Sequence, residues 1–128
     1  YPADRIRTIA LLGHGGAGKT SLAEALLFDT KATTRLGRVD EGNTVTDYDP
    51  DAVKRRMSVT SAIAPVEWRD TKVNVIDTPG YADFVGEALS ALRVSDGAII
   101  VMDASAGVEV GTEQAWRMVQ DRGIPALL

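Results

Sequence analysis

Gly13-His14-Gly15-Gly16-Ala17-Gly18-Lys19-Thr20 has the spacing G-x-x-x-x-G-K-T, the pattern of a loop that wraps the phosphates of a nucleotide. On its amino side, Ile6-Arg7-Thr8-Ile9-Ala10-Leu11-Leu12 is apolar and β-branched at the length of a strand. On its carboxyl side, Ser21 to Phe28 is made almost wholly of helix formers. A chance glycine turn would not bring both flanks. The residue types follow from the chemistry, because a triphosphate needs several main-chain N–H groups converging on it without side chains in the way. Gly13, Gly15, Gly16 and Gly18 leave that backbone bare. A helix opening near Lys19 adds free N–H groups and the positive end of its dipole. Lys19 is expected to reach the β- and γ-phosphates and the Thr20 hydroxyl to ligate Mg²⁺. His14, Ala17 and Ser21 complete the stretch expected to contact nucleotide.

The rest of the composition narrows the class. The chain has 128 residues, about one domain's worth, and 45% of them are hydrophobic, enough for one buried core. No apolar run reaches the roughly 18 residues of a membrane span, and nothing reads as a signal peptide. Cysteine is absent, which excludes disulfides and thiolate metal sites and agrees with a cytoplasmic protein. A net charge of −4 gives no direct nucleic-acid footprint. The chain opens on Tyr1 and stops inside the apolar run Ile124-Pro125-Ala126-Leu127-Leu128. Residues 1–128 are therefore expected to be the front portion of a single nucleotide-binding domain, cut before its last strands, and monomeric.

In chain order, the first strand is expected over Arg5 to Leu12 and the first helix over Lys19 to Phe28. Asp29 to about Arg56 is polar and irregular, the length and place of a segment that orders around the γ-phosphate and Mg²⁺, or of a plain insertion. Ser58 to Trp68 reads as a strand, with Pro65 pointing to a sheet edge. Arg69-Asp70-Thr71 turns it back into Lys72 to Asp77 as an antiparallel hairpin. A helix over Asp83 to Arg93 carries the stripe Val85, Ala88, Leu89, Leu92. Gly97 to Met102 is a buried parallel strand, Asp103 to Gly111 a loop, and Thr112 to Arg122 a helix closed by Gly123 and Pro125. Ala126 begins a last strand. Strands alternating with helices predict a doubly wound α/β sheet, mostly parallel with one antiparallel edge strand, binding nucleotide at the carboxyl ends of its strands.

Asp77-Thr78-Pro79-Gly80 stands where that geometry wants an acid. At the end of a strand beside the first, Asp77 can hold Mg²⁺ opposite Thr20, usually through water. Gly80 can offer a bare N–H to the γ-phosphate and let the following segment move when that phosphate leaves. Taken alone, the same four residues suit an ordinary β-turn.

Asn74 to Ala88 resembles the second switch region of translational GTPases, and of elongation factor G in particular. Val94 to Gln114, and Gly13 to Thr20 with its helix, are similar to the same family, so the likeness covers nearly the whole chain. It is closer to the elongation factor G-like paralogues than to the main translocase. The resemblance implies a P-loop NTPase fold, binding of GTP and GDP with Mg²⁺, ribosome-stimulated hydrolysis and further domains downstream. It aligns Arg55-Arg56-Met57-Ser58-Val59-Thr60-Ser61-Ala62 with the end of the family's first switch. Ser58 then stands where the family's threonine caps Mg²⁺ and the γ-phosphate, with Thr60 the alternative if the register slips by two.

Three departures bear on mechanism. Tyr81 replaces the family's water-positioning histidine, and a phenol can orient a hydrogen bond but cannot supply an imidazolium. Gly16 replaces the family's aspartate, and Gly15 a frequent apolar residue. Hydrolysis is accordingly expected to be slower, rearranged or dependent on a partner, with Lys19, Gly80 and Tyr81 as its catalytic set. His14 has a counterpart in the family that looks structural. Trp116, with Ala115 and Val119, reads as helix packing in preference to a base-stacking platform, and Arg55-Arg56 as a solvated pair in preference to a contact with phosphate or RNA. The family's guanine-reading Asn-Lys-x-Asp would follow the strand begun at Ala126 and does not occur in the sequence. Guanine specificity therefore rests on the resemblance. An adenine-nucleotide ATPase and a nucleotide-gated module without hydrolysis stay open.

Overall fold

The computed structural model describes residues 1–31, 61–80 and 85–128. Most of the segment expected to follow the first helix, with Arg55, Arg56, Ser58 and Thr60, lies outside the described residues, as do Tyr81 and Asp83. After a short 3₁₀ turn over Ala3–Arg5, the elements are β1 (Ile6–Leu12), α1 (Lys19–Asp29), β2 (Ala62–Trp68), β3 (Thr71–Asp77), α2 (Val85–Arg93), β4 (Gly97–Ile100), α3 (Val110–Arg122) and β5 (Ala126–Leu127).

The strands form one sheet in the order β2-β3-β1-β4-β5. β1 pairs in parallel with β3 on one side and β4 on the other, and β4 pairs in parallel with β5. β2 runs antiparallel to β3 at the edge, with Pro65 opposite Asn74, where a missing N–H is tolerated. This is the doubly wound sheet with one reversed edge strand that the alternation of elements predicts. Because β1 is flanked on one side by β3 and on the other by β4, its carboxyl end is the point where the strand order reverses, the usual place for a ligand.

Alternation along β1 splits the core into two layers. Ala10 and Leu12 face α2 and α3, meeting Ala88, Ala91, Leu92, Ala115 and Val119 together with Ile76, Ala98 and Ile100. Leu11 faces the other way, packing with Ala23 and Leu27 of α1 and with Ala64, Val66 and Val75. Alanines at the contact points let helix and sheet backbones approach closely. Leu92 is 1% exposed, and truncating such a side chain to alanine costs about 2–5 kcal/mol.

Among the differences from expectation are three element boundaries and one helix face. The hairpin turn is Arg69-Asp70 alone, both at positive φ (46° and 59°), and Thr71 already pairs with Trp68. That is the left-handed two-residue turn that suits the twist of a hairpin, made here without glycine and with the Arg69 guanidinium 5.7 Å from the Trp68 ring centre. The third helix starts at Val110 rather than Thr112, because Glu109 caps it: the Thr112 amide donates to the Glu109 carboxylate and the Glu109 amide donates to Thr112 Oγ1. On α2, Ala91 rather than Val85 completes the buried stripe, and Val85 is 40% exposed. β4 ends at Ile100, two residues short of Met102, although the Val101 amide still donates to the Leu12 carbonyl.

Candidate functional site

The loop between β1 and α1 is bare backbone held in conformations that side chains avoid. Gly13, Gly16 and Gly18 lie at φ 145°, 82° and 108°, and Gly18 forms the amino-terminal cap of α1. The Ala17 amide donates to the His14 carbonyl and the Leu22 amide to the Gly18 carbonyl, closing the loop onto the helix. Ser21 is exposed at its rim, while Lys19 and Thr20 are buried.

Lys19 is 5% exposed. Its Nζ donates to the carbonyls of Gly13 and His14, each at 3.0 Å. Those two bonds turn the side chain back over the loop and leave an N–H for an anion. Burial pushes the ammonium below its ordinary value of 10.5, and the nearby Asp77 charge opposes that shift. A desolvated cation of this kind is a strong anchor for a phosphate oxygen.

Thr20 and Asp77, 57 positions apart in sequence, meet directly: Thr20 Oγ1 donates to Asp77 Oδ2 at 2.6 Å. Asp77 is 1% exposed at the end of β3, and its register opposite Leu11 puts it at the start of the loop. A hydroxyl and a carboxylate side by side are hard oxygen donors of the kind Mg²⁺ takes, with waters and phosphate oxygens completing the shell. Among the described residues no three His, Asp or Glu side chains converge as a metal cage.

Gly80 lies in the mouth of the loop. Its carbonyl accepts the Gly15 amide at 3.1 Å, and a Cβ on it would stand 2.4 Å from Lys19 Nζ, 2.6 Å from the Gly15 nitrogen and 2.8 Å from the Gly13 oxygen. Only glycine can come so near the lysine. Thr78, which sequence reasoning missed, fixes this approach: it is 1% exposed and its Oγ1 donates to the Leu11 carbonyl at 2.6 Å. A threonine next to a strand-end acid was the available signal.

Two more residues enter from α3 and its cap. The Gly111 amide donates to His14 Nδ1 at 3.0 Å, and Glu109 Oε2 lies 3.3 Å from His14 Nε2. His14 therefore bonds sideways to a helix, as a structural residue would. Trp116, expected to pack within the helix layer, is instead 49% exposed beside Met102, Val108 and Leu128. The structure thus gathers Gly13 to Thr20, Asp77 and Gly80 at one end of the sheet, and Ser58 and Tyr81 lie outside the described residues.

A parallel sheet with a glycine loop at its switch point, a buried lysine over the loop and a threonine–aspartate pair beneath it define a P-loop nucleotide-binding domain. Residues 4–128 match the elongation factor Tu GTP binding domain, and the chain belongs to that family. It is 46% identical over 126 residues to the mitochondrial ribosome-releasing factor 2 of Debaryomyces hansenii, covering 98% of this chain and 15% of that protein. It is 41% identical over 127 residues to elongation factor G of Dehalococcoides mccartyi, covering 99% and 18%. A crystal structure of a Thermus thermophilus protein superposes with a TM-score of 0.91 at 50% identity, over 94% of this chain and 18% of that one. The chain thus spans less than a fifth of the length of these relatives.

Proposed function

We propose that this chain is the GTP-binding and GTP-hydrolysing switch portion of an elongation factor G-like translation factor that acts on the ribosome. The observation that carries the proposal is the convergence of Lys19, the Thr20–Asp77 pair and Gly80 on one loop. Relatives named for translation elongation and ribosome release support the ribosomal setting. Among the described residues no helix is long and apolar enough to cross a membrane. A monomeric state and the cytoplasmic location expected from the cysteine-free sequence belong to the same proposal.

Each residue has a task. The amides of Gly13 to Ser21 and the Lys19 ammonium spread the negative charge of the phosphates. Thr20, Asp77 and, by resemblance, Ser58 would hold Mg²⁺, which would supply charge neutralisation to the bound phosphates. The Gly80 segment moves off the Gly15 amide to present its own N–H to the γ-phosphate, and reverts when that phosphate leaves. Tyr81 orients the attacking water through its phenol.

The test is hydrolysis of GTP and of ATP by the purified protein, with and without ribosomes. GTP turnover stimulated by ribosomes and undiminished by excess ATP is expected. Equal competition by ATP would replace the guanine assignment with an adenine-nucleotide one. Binding without turnover would favour a nucleotide-gated module, to which Tyr81 points. In the proposed scheme Tyr81→His raises stimulated hydrolysis roughly a hundredfold, the lower end of what a positioned proton-transfer group supplies.

A further inference from the structure

His14 is the chain's only histidine, and it joins two parts of the molecule at once. Through its ring it holds the first turn of α3, accepting the Gly111 N–H at Nδ1 and lying 3.3 Å from Glu109 Oε2 at Nε2. Since Nδ1 accepts, the neutral ring carries its proton on Nε2, facing the carboxylate. Through its main chain it holds the phosphate loop, its carbonyl accepting both Lys19 Nζ at 3.0 Å and the Ala17 N–H at 3.1 Å.

The α3 side is shaped for this contact. A Cβ at Gly111 would stand 2.5 Å from His14 Cα and 2.8 Å from Nδ1, so the two backbones meet at a distance no larger residue allows. Glu109 is fixed by its own helix, since the Thr112 amide donates to its carboxylate and its amide donates to Thr112 Oγ1. The ring therefore docks on groups that the first turn of α3 itself orients. The loop's glycines have no side chains to pack, so apart from His14 it is held by main-chain hydrogen bonds and by Lys19.

We propose that His14 is the positioning residue of the phosphate loop: its ring, clamped to Gly111 and Glu109, fixes the carbonyl that aims Lys19. This rests on the nucleotide site proposed above. Holding a lysine ammonium and a glycine loop in one geometry removes conformational freedom that binding would otherwise have to remove, so the clamp appears as affinity for phosphate. Binding and clamping are reciprocal, and nucleotide should tighten the Gly111–His14 bond in turn.

The experiment titrates fluorescent GDP with Mg²⁺ into the protein and its His14→Ala, His14→Asn, Gly111→Ala and Lys19→Ala variants, and follows the Gly111 amide by ¹H–¹⁵N NMR. His14→Ala is expected to bind about tenfold more weakly, the loss of ring bonds of ordinary strength, with its Gly111 amide moved upfield. His14→Asn, whose Oδ1 can replace Nδ1 as acceptor, is expected to recover most of the affinity and the downfield amide. Gly111→Ala, remote from the nucleotide, is expected to weaken binding comparably, and with His14→Asn it decides the matter if His14→Ala does not fold. Parental affinity in His14→Ala, or an Asn variant no better than Ala, overturns the proposal. Full binding by Lys19→Ala would instead remove the nucleotide site, and the Gly111 amide in the His14 variants would still decide whether the clamp exists.

Discussion

Replacing Gly80 with alanine places a methyl group in the most crowded point of the site. The new Cβ would lie 2.6 Å from the Gly15 nitrogen and 2.8 Å from the Gly13 oxygen, several tenths of an ångström inside ordinary contact. The third neighbour, Lys19 Nζ at 2.4 Å, ends a flexible side chain and can swing away, but only by leaving the carbonyls of Gly13 and His14. The two backbone atoms cannot, so the Gly80 segment must lift. Lifting stretches the bond from the Gly15 amide to the Gly80 carbonyl, about 1 kcal/mol, and overpacking adds about 1–3 kcal/mol. The sum, about 2–4 kcal/mol, is a large part of the 5–15 kcal/mol typical of a domain. Thermal unfolding followed by far-ultraviolet circular dichroism should show Tm lowered by roughly 10 °C. GTP affinity should fall more than GDP affinity, because the methyl group would stand beside Lys19 Nζ, which the proposed function assigns to the γ-phosphate. A Tm within about 2 °C of the parent, with the GTP-to-GDP preference unchanged, would refute the placement of Gly80 in the mouth of the loop.

Two further outcomes follow from the same geometry. Thr20→Val keeps the shape of the side chain but removes the donor to a buried carboxylate, costing about 1.5–3 kcal/mol in urea unfolding; Mg²⁺-dependent nucleotide affinity should fall with it, whereas Thr20→Ser should retain both. Lys19 is held below its ordinary value by burial, so between that lowered value and 10.5 the unfolded chain keeps a proton the folded chain gives up. Stability should therefore rise with pH across that window relative to Lys19→Met, and matched urea midpoints checking this would show parallel curves if the ammonium were not desolvated.

Much of the fold is legible in what residue types state locally. Glycine spacing between an apolar strand and a helix-forming run locates β1, the loop and α1, and an acid before Thr78-Pro79-Gly80 locates the end of β3. The Thr20–Asp77 pair is legible as chemistry but not as a direct 2.6 Å bond, since distance depends on the parallel register of β1 and β3. The hairpin turn is hidden because Arg69 and Asp70 adopt positive φ without a glycine. The start of α3 is hidden because Glu109 and Thr112 form a capping box in reversed order. α1 shows no apolar stripe because its buried face is shared by Lys19, Thr20 and Glu24 with Ala23 and Leu27. The approach of Gly80 to Lys19, and that of Gly111 to His14, are tertiary contacts made possible by a missing side chain, and the sequence carries no pattern for them beyond the glycines themselves.

In the proposed site, main-chain amides and the Lys19 ammonium together hold a magnesium-bound polyphosphate, and every other role depends on that. The most direct test is titration of labelled GDP and GTP, with Mg²⁺, into the protein and its Lys19→Ala variant. Saturable uptake by the parent and at least a hundredfold loss in the variant, about 2.7 kcal/mol, is the predicted result. Uptake by the variant equal to the parent's, or none by the parent, would contradict it.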